Sequence, residues 1–185
     1  GLIEYLRKEE ISGVIDATHP FAITMSCSAK AAAQAAGLPL LQFVRQEWAV
    51  RPDWMRASDL TAAANALPKG ACAFLTVGAR SLTPFVHRSD VWFLYRGIEP
   101  VSMPFSQGEA IVQRPPFILE AEIKLMQTHR VSHLVTKNAG GDQTRAKLDA
   151  AIKLGISVII VDRPILPVVE NASTVLDVLR WAQRI

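Results

Sequence analysis

Apolar positions along the chain follow two alternating rhythms. Residues 13–17, 40–44, 71–77, 91–95, 133–137 and 157–161 are short, nearly continuous apolar runs rich in Val, Ile, Leu and Phe. Such runs read as strands buried on both faces. Between them, apolar residues recur three or four positions apart over residues 2–10, 20–36, 59–67, 118–129 and 144–154, and again up to Gln183. That spacing predicts helices. A shorter helix is expected over 80–86, and 47–56 and 110–113 read as irregular or extended pieces. Strands alternating with helices imply an α/β fold with mostly parallel sheet, and ligands beyond the C-terminal ends of the strands.

The boundaries carry their own signals. Pro20 suits a first helical position with Thr18 or His19 as cap, and Phe21, Met25, Ala29, Ala32 and Ala36 mark the expected buried face. Gly37 with Pro39, residues 68–70 and Gly155 are stop signals, while Ser58 and Ser173 are expected caps.

The stretch from His133 to Gly155 concentrates these signals. A strand, His133 to Lys137, leads through Asn138, Ala139, Gly140, Gly141, Asp142 and Gln143 into a helix beginning near Thr144. A glycine turn at a helix start gathers open N–H groups and the positive end of the helix dipole, which suits an anion. Lys137 and Lys147 would add charge there. On loop chemistry alone, an ordinary tight turn with two solvated lysines is the favoured reading.

Composition narrows the classes. The 185 residues are half hydrophobic and one-fifth charged, enough for a real core in one large domain or two small ones. The net charge of +3 is mild, its cations are scattered, and no aromatic motif interleaves them, which argues against nucleic acid. No run is long enough for a membrane span and no signal peptide is visible, so a cytoplasmic protein, monomer or homodimer, is expected. Cys27 and Cys72 lack metal or CxxC spacing and are expected to be buried reduced thiols. The four histidines show no metal-ligand spacing either, and no metal is expected.

Three strand ends hold candidate chemistry: residues 16–20, 77–80 and 137–141. None carries the GxGxxG or GxxxxGK[ST] fingerprint, and GxSxG and HExxH are absent. Asp16 is an orienting carboxylate or a cap. His19 beside a helix start is a catalytic or a capping histidine. Arg80 next to Gly78 grips a carboxylate or phosphate, or faces solvent. Chemistry alone reaches an anionic ligand in an α/β cleft.

The segments Val14 to Ala22 (VIDATHPFA), Leu75 to Leu82 (LTVGARSL) and Leu134 to Gly141 (LVTKNAGG) resemble the precorrin-6A reductase family. Thr144, Lys147, Leu148, Leu154, Gly155, Arg163 and Pro164 continue the pattern in order. The resemblance implies two linked Rossmann-like parallel-sheet domains with the substrate in a cleft between them. It implies reduction of precorrin-6A, or its cobalt form, to precorrin-6B with NADPH in cobalamin biosynthesis.

By that resemblance Asp16, Thr18, His19 and Pro20 are cofactor-binding, with His19 the candidate proton donor. Gly78, Arg80, Lys137, Asn138, Gly140, Gly141, Thr144 and Lys147 are substrate-binding. Asp142 would repel a phosphate deep in the turn, which assigns Lys137 and the glycines to macrocycle carboxylates or the nicotinamide end. Two departures stand out: the family's N-terminal Gly-Gly-Thr phosphate turn has no counterpart before Gly1, and Arg114, Pro115, Pro116 replace the usual Gly-Pro before Phe117. The chain is therefore expected to lack its N-terminus, with domains at 1–69 (the remainder of the NADPH domain) and 70–185, the last helix possibly crossing back. The alternatives are a truncated tetrapyrrole-binding relative without catalysis, or an unrelated α/β protein binding a nucleotide or sugar phosphate.

Overall fold

A computed structural model describes all residues, 1–185. The chain divides into two units: residues 1–47 with 163–185, and residues 48–162. Both are α/β with parallel strands only.

Unit 1 starts with α1 (Leu2–Lys8), β1 (Val14–Asp16), α2 (Ile23–Ala36) and β2 (Leu40–Phe43), and is completed from the far end of the chain. There β9 (Glu170–Ala172) pairs with β2, giving the order β1-β2-β9, and α6 (Val175–Ala182) follows. Leu41, Ala172 and Trp181 form its small core. The Trp181 indole N–H donates to Glu170 at 3.0 Å, so the ring is buried with its polar tip satisfied. Gly37 ends α2 in the left-handed region at φ 71°, and the Leu38 N–H closes on the Ala33 carbonyl.

Unit 2 contains β3 (Met55–Ala57), α3 (Leu60–Ala66), β4 (Cys72–Leu75), β5 (Trp92–Gly97), β6 (Gly108–Val112), α4 (Leu119–Thr128), β7 (His133–Lys137), α5 (Ala146–Leu154) and β8 (Ser157–Val161). Its sheet order is β3-β8-β7-β4-β5-β6. The chain runs outward from β4 through β5 to β6, then returns to lay β7 on the other side of β4. The strand order reverses between β4 and β7, where open α/β sheets form their ligand crevice. Phe74, Leu94, Leu134 and Ile160 from the strands meet Met126, Leu148, Ala150 and Ala151 from α4 and α5 in one buried core. The small alanines of α5 let that helix approach the sheet closely.

Several expectations are corrected. The contact boundary falls after residue 47 rather than at 69, because β3 pairs with β8 and binds residues 48–69 into unit 2. The second crossing, after residue 162, carries β9 and α6 into unit 1. Helix α2 begins at Ile23, not Pro20, since residues 16–22 are held in local turns: Thr18 N–H to Asp16, Phe21 N–H to His19 and Ala22 N–H to the His19 carbonyl. Ala22, not Thr18 or His19, is its N-cap. Met25 is exposed, and Ser26 and Ala33 join Ala32 on the buried face.

Asp59 and Thr174, not Ser58 and Ser173, cap their helices by accepting the Ala62 and Asp177 N–H groups. Residues 80–86 form two 3₁₀ turns instead of a helix, with Pro84 in the second. Cys27 is exposed and Cys72 only partly buried. No helix is long and apolar enough to cross a membrane.

Candidate functional site

The reversal of strand order in unit 2 brings together two of the three predicted strand ends. After β4 the chain turns through Val77, Gly78 and Arg80, and after β7 through Lys137 to Gly141. The Lys137 ammonium donates to the Ser81 hydroxyl at 2.8 Å and so ties the two turns together. Burial pushes its pKa down from the usual lysine value.

The glycine turn works mainly as a clamp. Gly140 and Gly141 take φ of 69° and 82°, conformations that a side chain would strain. This lets the turn fold back so that the Gly141 carbonyl accepts the Trp48 indole N–H at 2.9 Å. Asn138 is fully buried and reads the Trp48 backbone twice: its Oδ1 accepts the Trp48 N–H at 2.9 Å, and its Nδ2 donates to the Trp48 carbonyl at 3.3 Å. The Trp48 ring is thereby fixed, and the Lys147 ammonium lies 5.0 Å from its centroid.

Lys147 is 5% exposed, on the first turn of α5. Burial, and secondarily the Arg96 guanidinium, bring its pKa down to about 7, with Glu122 acting in the opposite sense. Arg96 and Glu122 form a buried bidentate ion pair, the Nη2 to Oε2 bond measuring 3.1 Å. The Arg96 guanidinium carbon also lies 3.7 Å from the Phe117 ring centroid and 4.9 Å from that of Phe74. Planar stacking and a fork of donors make this an arginine position that lysine would not fill.

Lys147, Arg96 and Phe117 border a cavity of about 580 Å³ over the C-terminal ends of β4, β5 and β6. Gly78, Arg80, Thr144 and Lys147 line it, joined by Tyr95, Arg96, Gly97, Glu99, Gln113 and Phe117. Val77, Ile98 and Val101 supply apolar wall. Lys137, Asn138, Gly140 and Gly141 do not line it; Lys137 holds Ser81, and Asn138 and Gly141 hold Trp48. Arg96, Glu122, Phe117 and Trp48 escaped the sequence reading. Glu122 lies on the core face of its helix, four residues before the buried Met126, and a charge there signals a buried partner.

The remaining predicted residues belong to unit 1. Asp16 is 6% exposed and accepts from the Thr18 N–H at 3.0 Å, the Thr18 hydroxyl at 2.6 Å and Gln42 at 3.2 Å. Burial alone would raise its pKa, but hydrogen bonds from Ser26, Thr18 and Gln42 outweigh it and hold the carboxyl below its usual value. His19 is exposed, and its Nδ1 accepts the Phe21 N–H at 3.2 Å, which puts the proton of the neutral ring on Nε2. Pro20 is buried, and with Thr18, His19, Ser26 and Gln42 it borders a narrow hollow. No group of three or more His, Cys, Asp or Glu side chains is placed to hold a metal.

Known proteins resemble the chain over nearly its whole length. The precorrin-6A reductase of Rhodococcus erythropolis is 42% identical over 187 residues, covering 98% of this chain and 75% of its own. That of Rhodobacter capsulatus is 38% identical over 186 residues, with coverage of 98% and 74%. A cobalt-precorrin-6A reductase of Synechocystis sp. is 27% identical, covering 87% of this chain and 67% of its own. The solved structure of a CobK precorrin-6A reductase superposes with a TM-score of 0.94 at 37% identity, covering 99% of this chain and 77% of that one. Residues 1–183 match the family described as "Precorrin-6x reductase CbiJ/CobK". This chain belongs to the precorrin-6x reductase family.

Proposed function

We propose that this protein reduces precorrin-6A, or its cobalt form, to the 6B macrocycle in cobalamin biosynthesis, with NADPH as hydride donor. The observation that carries the reading is the character of the unit-2 cavity. It has apolar and aromatic walls, Arg80 at its exposed rim, and Lys147 beside the Arg96–Glu122 pair at its inner end. A flat tetrapyrrole fringed with acetates and propionates asks for that combination of apolar surface and cations.

In this reading Gly78, Arg80, Thr144 and Lys147 contact the macrocycle. Lys137, Asn138, Gly140 and Gly141 support the same substrate site: Asn138 and Gly141 hold Trp48, whose ring lies against Lys147, Gly140 shapes their turn, and Lys137 holds Ser81 next to Arg80. Asp16, Thr18, His19 and Pro20 serve the cofactor. The residues of unit 1 fit a dinucleotide: Ala22 gives α2 no side-chain cap, so the first turn of a 14-residue helix keeps donors for an anionic or amide group. Asp16 holds the loop before it through Thr18.

Bound NADPH supplies the hydride, and the protein's own part is to bind, orient and exclude water. Two electrons and one hydrogen pass to a macrocycle carbon, and one proton from solvent or a side chain completes the reduction. His19 is the proposed side-chain donor: protonated as the imidazolium it would give one proton to the macrocycle and return to the neutral ring whose Nδ1 accepts the Phe21 N–H.

The test is anaerobic incubation with precorrin-6A and NADPH, following cofactor absorbance and the macrocycle spectrum. The reading expects equimolar loss of both. Binding of the macrocycle without NADPH oxidation would instead identify a tetrapyrrole-binding relative.

A further inference from the structure

Lys147 is a buried cation with no counter-ion of its own. The residue is 5% exposed and lines the cavity; its ammonium makes no hydrogen bond or ion pair to a protein group, and since no side-chain nitrogen is both fully buried and unpartnered, it keeps its access to the cavity. Glu122, the acidic neighbour, already holds both terminal nitrogens of Arg96. Arg96, Glu122 and Lys147 therefore leave one surplus positive charge when Lys147 is protonated. Of the other charged or titratable groups around the cavity, Arg80 adds to that surplus and Tyr95 is neutral near pH 7, its hydroxyl pKa raised by burial. Glu99 faces Arg114 at 3.9 Å; on α5 itself Asp149 pairs with Arg145 at 3.3 Å, and Asp142 before the helix is exposed.

A methionine would fill the same volume without the cost of an unpaired buried charge. Keeping a lysine there, in the lining of a cavity walled by Tyr95, Phe117, Val77 and Ile98 and with the Trp48 ring against its ammonium, suits an anion brought by a ligand. A compact point charge among apolar groups matches a single carboxylate better than a phosphate dianion, which wants several donors.

We propose that Lys147 anchors one acetate or propionate carboxylate of the macrocycle inside unit 2, and that this carboxylate binds together with a proton taken from solvent by the lysine. The inference rests on the functional reading above and adds the anchoring group and its proton. Its physical origin is mutual: burial lowers the pKa of the amine to about 7, so that above that pH it is mainly neutral when the cavity holds no anion, and an adjacent carboxylate favours its charged form.

The experiment uses the full chain and precorrin-6A under anaerobic conditions. Binding is followed by calorimetry at about pH 8, in two buffers of different ionisation heat, so that affinity and proton uptake are read together. The wild type is expected to take up about one proton per macrocycle. Lys147→Met is expected to bind about tenfold or more weakly and to lose that uptake, with NADPH affinity unchanged. It should also resist urea at least as well as the wild type, which a purely structural lysine would not allow. Lys147→Gln, which keeps a polar head, carries the same expectation for binding and uptake if the methionine variant does not fold.

Equal macrocycle affinity and equal proton uptake in the variants would overturn the proposal. So would a loss confined to NADPH, which would assign Lys147 to a cofactor phosphate. Macrocycle binding without turnover in the wild type would overturn the reductase reading and leave the anchor standing; no macrocycle binding would overturn both.

Discussion

A lysine pKa of about 7 is a statement about stability as well as ligand chemistry. The unfolded chain carries Lys147 near the ordinary lysine value of 10.5, so between these values it binds more protons than the folded chain. Stability is therefore expected to rise as pH increases from about 7 toward 10, with the full cost of the buried charge present at and below the lower end. Lys147→Met should flatten that rise, by an amount on the order of a few kcal/mol. Urea midpoints measured across this range check it, and the same slope in both proteins would contradict it. Lys137 offers a different outcome: Lys137→Ala removes the tie to Ser81 and should weaken macrocycle binding by roughly tenfold while leaving the fold intact. Unchanged affinity for both macrocycle and NADP would make Lys137 purely structural.

At the level of elements, the Arg96–Glu122 pair fastens β5 to α4 beneath the Phe117 ring. Glu122→Ala leaves a buried guanidinium without its partner and is expected to cost about 3–5 kcal/mol in denaturant unfolding. A loss under about 1 kcal/mol would show that the cavity hydrates Arg96 freely. The cap of α3 gives a local control: Asp59→Ala should destabilise by about 1 kcal/mol without touching ligand binding.

Elements were legible in the sequence where periodicity or a glycine stop is strong. Strand His133–Lys137 and strand Ser157–Val161 match their predicted bounds, and Gly37 and Gly155 end their helices in the left-handed conformation. Strands β3 and β9 were not legible, because three residues such as Met55–Ala57 or Glu170–Ala172 have no period of their own and exist only by pairing with β8 or β2. The cations Arg80, Lys137 and Lys147 were visible as candidates. What Arg96, Glu122 and Trp48 do depends on contacts 26 and 90 residues apart in the chain, which local pattern does not encode.

For the whole molecule, parallel pairing explains why the contact boundary differs from the one expected at residue 69. Composition changes little near residue 69, whereas the sheet assigns residues by partner: β3 to unit 2 and β9 to unit 1. The family match spans both units, so the expected activity belongs to the chain as a whole. The proposed function requires a hydride to pass from NADPH to the tetrapyrrole. Its most direct test is anaerobic turnover of precorrin-6A in ordinary water with NADPH deuterated at C4, each face labelled in turn, followed by mass analysis of the isolated product. One labelled face is predicted to deliver its deuterium to a carbon of precorrin-6B, with stoichiometric NADP formed. Precorrin-6B carrying no deuterium from either face, or no NADPH consumed at all, would contradict it.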